Sequence, residues 1–230
     1  MAREKFEQDL AQLQQKVVEL GGLAEEAVAE SVAVLQRQDM GRARALIEAD
    51  RHINETRFAL ESEALVLIAT QQPMASDLRA LAAVLEIATE LERIADYAKG
   101  IANITLMIGR QPLIKPLVDI PRMAALACSM LRRSLDAYLR ADVKLAAGIP
   151  EDDAEVDALY EQVYRELITH LLADPKAIEQ AMRLTWVAHN LERVADRVGN
   201  ICERVVFSLT GSVEEMTDDS GPRGGRQEQG

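Results

Sequence analysis

The sequence predicts an all-α fold of six long antiparallel helices, arranged as two tandem three-helix bundles. Three observations point there. The segment LERIADYAKGIA at 91–102 returns as LERVADRVGNIC at 191–202, so that Leu91, Glu92, Arg93, Ala95, Asp96 and Ile101 recur as Leu191, Glu192, Arg193, Ala195, Asp196 and Ile201. Self-similarity at a fixed spacing marks a duplicated architecture. Aliphatic side chains and alanine dominate the 48% hydrophobic content while aromatics make up only 3%, a mix that suits helix-on-helix packing better than sheets. Apolar residues also recur in steps of three and four, the period of a helix with one buried face.

The first helix spans about 4–38. Phe6, Leu10, Leu13, Val17, Leu20, Ala24, Ala27, Ser31 and Val34 form one stripe, which Gly21 and Gly22 interrupt and are expected to bend. Asp39 is a plausible N-cap for a second helix reaching about Thr70. Pro73 breaks the chain within QQPMASDL, and Ser76 or an earlier residue caps a third helix over about 74–108. A linker with Gly109, Pro112, Pro116 and Pro121 follows. The fourth helix runs to about Arg140. The fifth runs from near Asp142 to about Leu172, with a kink at GIPEDD, and the sixth lies between Asp174-Pro175 and about Leu209. The units are 1–110, 111–210 and a Gly-rich polar tail, 211–230, expected to be disordered. Outside the opening motif, Ser31, Arg37, Asp39, Asp50, Ile53 and Asn54 find their mates in Ser134, Arg140, Asp142, Asp153, Val156 and Asp157.

Composition also narrows function. A formal net charge of −12 repels phosphate backbones, so nucleic acid is not the expected partner, whereas cations and basic protein faces are. Cys128 and Cys202 lack CxxC spacing and read as two buried thiols of a reducing cytosol. The charged N-terminus is no signal peptide, and runs such as ALVLIA are too short to span a bilayer. The chain is therefore read as cytoplasmic, without direct membrane insertion.

The acids of the repeat carry the chemistry. Residues four apart share a helix face, so Glu92 and Asp96 point the same way, as do Glu192 and Asp196. Like charges so placed cost a helix about 0.2–0.5 kcal/mol unless something offsets them, and a divalent or trivalent cation does so. The second helix of each half offers a matching pair, Asp50 with Asn54 and Asp153 with Asp157. Asn54 supplies a neutral oxygen and no charge, so a site using it should hold metal more weakly. His189 shares the face of Glu192 and suits a transition metal. The competing reading is a solvated face in which Arg93, Arg193 and Lys99 pair with Asp96 and Asp196. Trp186 is read as a packing residue, and no helix displays an extra apolar stripe that would define a dimer face.

With QQPMASDLR at 71–79, the two LER-x-x-D helices give the chain a resemblance to the PhoU family over about 1–209. The resemblance implies two three-helix bundles with metal clusters held by paired acids, here Glu92, Asp96, Glu192 and Asp196, completed by Asp50, Asn54, Asp153 and Asp157. Iron or zinc is the implied metal, with magnesium and manganese also compatible, and no organic cofactor is expected. It implies a negative regulator of phosphate uptake and of the phosphate-starvation response. Such a protein links the ATPase subunit of the phosphate ABC transporter to a sensor histidine kinase and forms a homodimer. Arg79, Arg93 and Arg193 are candidate partner-binding residues, and Asp77 sits where a negative charge meets the helix dipole. The alternatives are a metal-free helical scaffold or a regulator of a different phosphate transporter. An enzyme is not expected: His52, His170 and His189 all lack the Glu three residues earlier that a di-iron bundle needs, and no P-loop or dinucleotide fingerprint is present.

Overall fold

The computed structural model describes residues 2–212, and the tail expectation for 213–230 lies outside the described residues. The first bundle is α1 (Ala2–Arg37), α2 (Met40–Gln71) and α3 (Ala75–Ile108). The second is α4 (Asp119–Arg140), the short α5 (Val143–Gly148), α6 (Asp153–Ala173) and α7 (Ile178–Thr210). No strand interrupts them among the described residues.

The duplication persists down to single hydrogen bonds. Gln38 and Ala141 occupy matching turns, and each adopts a left-handed conformation, with φ 51° and 53°. The Asp39 amide donates to Val34 O at 3.1 Å and the Asp142 amide to Ala137 O at 2.9 Å. Asp39 then caps α2 by accepting from the Gly41 and Arg42 amides, and Asp142 caps α5 by accepting from Leu145. Ser31 and Ser134, both fully buried, each donate to the carbonyl three residues earlier at 2.8 Å. A buried hydroxyl is thereby satisfied without a partner from another helix.

The structure corrects several sequence expectations. The fifth predicted helix is two helices separated by a 3₁₀ turn over Pro150–Asp152. Gly148 and Pro150 disfavour continuation, since proline lacks the amide and crowds the preceding turn. Of the two capping options the earlier residue holds: Met74, not Ser76, is the N-cap of α3, and it makes no side-chain cap bond. Asp77 is more than a dipole partner, because it is buried and receives two hydrogen bonds from Arg3 of α1. Gly21 and Gly22 do not interrupt α1. Gly21 is there for close approach, since a Cβ would lie 2.2 Å from Leu135 Cδ1 on α4.

Core packing runs across the two bundles rather than stopping at each. In α3, Leu91, Ile94, Ala98 and Ile101 lie along one face, and Leu191, Val194, Val198 and Ile201 match them in α7; all eight are fully buried. Each large aliphatic side chain so buried contributes about 1.5–3 kcal/mol. These residues belong to one continuous core, in which α3 packs on α7 and α1 on α4. Each helix at the seam therefore meets its own duplicate. Glu90 of α3 ties the seam, accepting from Arg197 at 3.4 Å and from Asn200 at 3.2 Å, both on α7. With Leu91 and Leu191 turned inward, Glu92, Asp96, Glu192 and Asp196 are left on the outer rim of α3 and α7.

Candidate metal centre

In the first half the acids of α2 and α3 meet around a lysine. Asp50 is buried, only 6% exposed, and its Oδ2 accepts from Lys99 Nζ at 2.7 Å. Lys99 Nζ also lies 3.4 Å from Asp96 Oδ1. The ammonium therefore joins the α2 acid to the α3 acid, and the hydrogen bond to Asp50 raises the Lys99 pKa above its ordinary value. Asn54 turns its amide, not its oxygen, toward Asp50: Nδ2 donates to Oδ2 at 3.1 Å. Burial, and then the charge of Asp96, push the Glu92 carboxyl upward, while Arg57 pulls it back. Arg93 reaches Glu90 at 2.9 Å, not Asp96 as its spacing had suggested.

The second half has the same backbone frame and a different charge. Three matching positions change together: Asn54 becomes Asp157, Lys99 becomes Gly199 and Arg57 becomes Tyr160. Each exchange adds one unit of negative charge. The result is felt at Asp153, the counterpart of Asp50. Its carboxyl is pushed up to about 6, first by burial and then by Asp157, Asp196 and Glu192. Its Oδ1 is buried and receives no hydrogen bond. The cations of this half pair with the acids next to Asp153. Arg193 pairs with Asp196 at 2.7 Å, and His189 Nδ1 lies 2.6 Å from Glu192 Oε2. Asp153, Asp157, Asp196 and Gly199 line an open groove of about 810 Å³, together with Glu151, Glu203 and Arg197, whose guanidinium pairs with Glu90 of α3 at 3.4 Å.

The two clusters therefore differ in their fitness for a cation. Asp50 Oδ1 and Asp153 Oδ1 are alike shielded and without a hydrogen bond, but in the second half the orphaned oxygen lies among four carboxylates, a setting that suits an oxygen-seeking ion. In the first, an ammonium already stands between the acids of α2 and α3. As placed, no three His, Cys, Asp or Glu side chains among the described residues share a point from which they could hold one metal.

The partner-binding candidates fall in different settings. Arg93 is half exposed and Arg193 about one-third exposed. Arg79 is half-buried, its Nε is shielded without a partner, and its guanidinium packs beside Gly211, which ends α7 with φ 76°. Trp186 is not a packing residue, being 64% exposed. With Ile178 and Met182 it forms an exposed stripe on α7, next to Tyr164, Ile168 and Leu172 on α6. This is the extra apolar stripe that the sequence reading did not find. Its signal was there: Glu86 and Glu61 are the first-half counterparts of Trp186 and Tyr164. No helix among the described residues is long and apolar enough to cross a membrane.

A duplicated six-helix frame with an acidic rim on the third helix of each half defines a class of helical-bundle protein. Comparison with known proteins identifies it. The PhoU domain model matches residues 17–105 and again 120–205. The chain belongs to the PhoU family. It is 38% identical to a phosphate-specific transport system accessory protein PhoU homolog of Caulobacter vibrioides, covering 92% of each chain. It is 35% identical to the homolog of Rhizobium meliloti, covering 90% of this chain and 88% of that one. Among solved structures, the phosphate transport system regulatory protein PhoU from Streptococcus pneumoniae superposes with a TM-score of 0.84 at 30% identity, covering 91% of this chain and 99% of that one. PhoU from Pseudomonas aeruginosa gives 0.83 at 31%, covering 90% and 100%.

Proposed function

We propose that this protein is a cytoplasmic accessory regulator of phosphate-specific transport, restraining phosphate uptake and the phosphate-starvation response. The observation that carries this reading is kinship over nine-tenths of the chain, both repeats included, with proteins named as accessory or regulatory in that system. In this reading it acts by docking rather than by catalysis. Its partners are the ATPase subunit of the phosphate ABC transporter and a sensor histidine kinase, and it assembles as a homodimer. Two surface features support an adaptor. The exposed stripe of α6 and α7 offers apolar area to a partner. Arg93 offers a charge at the edge of the seam.

The metal part of the reading rests on the second half. Asp153, Asp157, Glu192 and Asp196 are the residues that would hold an ion such as iron, zinc, manganese or magnesium. When bound, it would supply the positive charge that the orphaned Asp153 oxygen lacks.

The test is deletion of the gene followed by measurement of phosphate uptake and of phosphate-responsive transcription in replete medium. The reading expects both to rise. Unchanged uptake and transcription would sink it.

A further inference from the structure

We propose that Lys99 is a built-in cation that closes the first acidic cluster to metal, so that the chain holds metal only in its second half, where Gly199 takes the place of Lys99. The inference builds on the metal part of the functional reading and runs against the simple expectation of two equivalent sites.

The geometry is direct. A metal bridging α2 and α3 in the first half would need Asp50 and Asp96. Lys99 Nζ stands 2.7 Å from one and 3.4 Å from the other. Asp50 is buried, and the same ammonium holds it. Asn54 holds the same Asp50 oxygen from the other side with an N–H donor, which a metal would have to displace. Arg57 acts on Glu92, the remaining acid. These exchanges lower the appetite for a cation in the first half and raise it in the second; Tyr97, which becomes Arg197, runs the other way, but Arg197 pairs with Glu90 across the seam.

Gly199 completes the contrast. A Cβ built there meets nothing within 4 Å, so the position opens onto the groove without crowding. The duplication thus carries one cluster whose α2 and α3 acids are joined by a covalently attached ammonium and one in which glycine stands at that position.

The experiment titrates the purified, chelator-stripped chain with Zn²⁺ and with Mn²⁺, reading stoichiometry by elemental analysis after gel filtration and heat by calorimetry. Helical circular dichroism serves as the fold control. Four variants are compared with the wild type: Lys99→Gly, Lys99→Met, Gly199→Lys and the pair Asp153→Asn/Asp157→Asn. The expected result is binding in the wild type that the Asp153→Asn/Asp157→Asn pair and Gly199→Lys each abolish, with additional binding in the Lys99 variants. Gly199→Lys breaks no buried pair and keeps the test decisive if the Lys99 variants fold poorly. Binding that survives both second-half changes overturns the proposal, as does unaltered binding in well-folded Lys99 variants. If the wild type binds nothing but the Lys99 variants do, the second-half part of the proposal falls together with the metal part of the functional reading, and only closure by Lys99 stands. If nothing binds in any variant, both fall.

Discussion

Asp153→Asn should stabilise the metal-free protein near neutral pH and leave it unchanged in acid. An ordinary aspartate titrates near 3.8, and Asp153 is pushed up to about 6 by burial and by Asp157, Asp196 and Glu192. Below about pH 4 the carboxyl is protonated in both folded and unfolded chains, so it contributes no difference. Between about pH 4 and 6 the unfolded chain releases its proton first, and the native state loses stability as pH rises. Above about 6 the full penalty applies. At about 1.4 kcal/mol per pH unit, the gap between the two values caps the penalty at about 3 kcal/mol. Asp153 is only partly buried, so water screens the repulsion and about 1–2 kcal/mol remains. Asn keeps the shape and sheds the charge. Urea unfolding followed by circular dichroism in EDTA, from pH 3.5 to 8, gives the free energy while keeping the chain soluble through its pI of about 4.8. The Asn variant should gain about 1–2 kcal/mol at pH 8 and nothing at pH 3.5. A gain independent of pH, or a less stable variant at pH 8, would refute the account of the charge at this groove.

Other substitutions test the frame. Ala141→Gly should add about 0.5–1 kcal/mol to unfolding stability in urea, because the left-handed turn at φ 53° strains any side chain and this exposed one makes no compensating bond. Gly21→Ala should cost up to about 2 kcal/mol in the same assay, since the new Cβ must push aside the buried Leu135, and overpacking outweighs the gain in helix propensity. Leu135→Val should relieve part of that cost in the double variant. Trp186 is the sole tryptophan, so fluorescence reports its setting directly: strong acrylamide quenching and red-shifted emission are expected, and Trp186→Ala should alter stability by less than about 0.5 kcal/mol.

Much of the fold could be read from the residues because helix rules are local. The stripe from Phe6 to Val34, the caps Asp39 and Asp142 and the weak point at GIPEDD depend on neighbours within a few positions. The left-handed turns at Gln38 and Ala141 were hidden, since neither residue is the glycine that usually announces one. The seam was hidden for another reason. Periodicity says that Leu91 and Leu191 are inside; it does not say that they share one inside. At the acidic rim, the spacing of Lys99 from Asp96 was visible, but its stronger bond to Asp50 crosses from α3 to α2, 49 residues away in the chain. Trp186 was misplaced because α7 carries two apolar stripes. Leu184, Ala188 and Leu191 face the core, and Ile178, Met182 and Trp186 face water.

Like-on-like packing at the seam has an evolutionary reading. The contact that α3 makes with α7 is the one a single repeat would make with an identical copy of itself, a self-complementary interface. Joining two copies in one chain turns a concentration-dependent association into an intramolecular one. It also releases the copies from identity. Two separate but identical subunits must carry the same residue at every position, so a lysine added to one rim is added to both. Within a single chain, one rim can become self-sufficient in charge while the other stays hungry for it, and the shared core beneath is left unchanged.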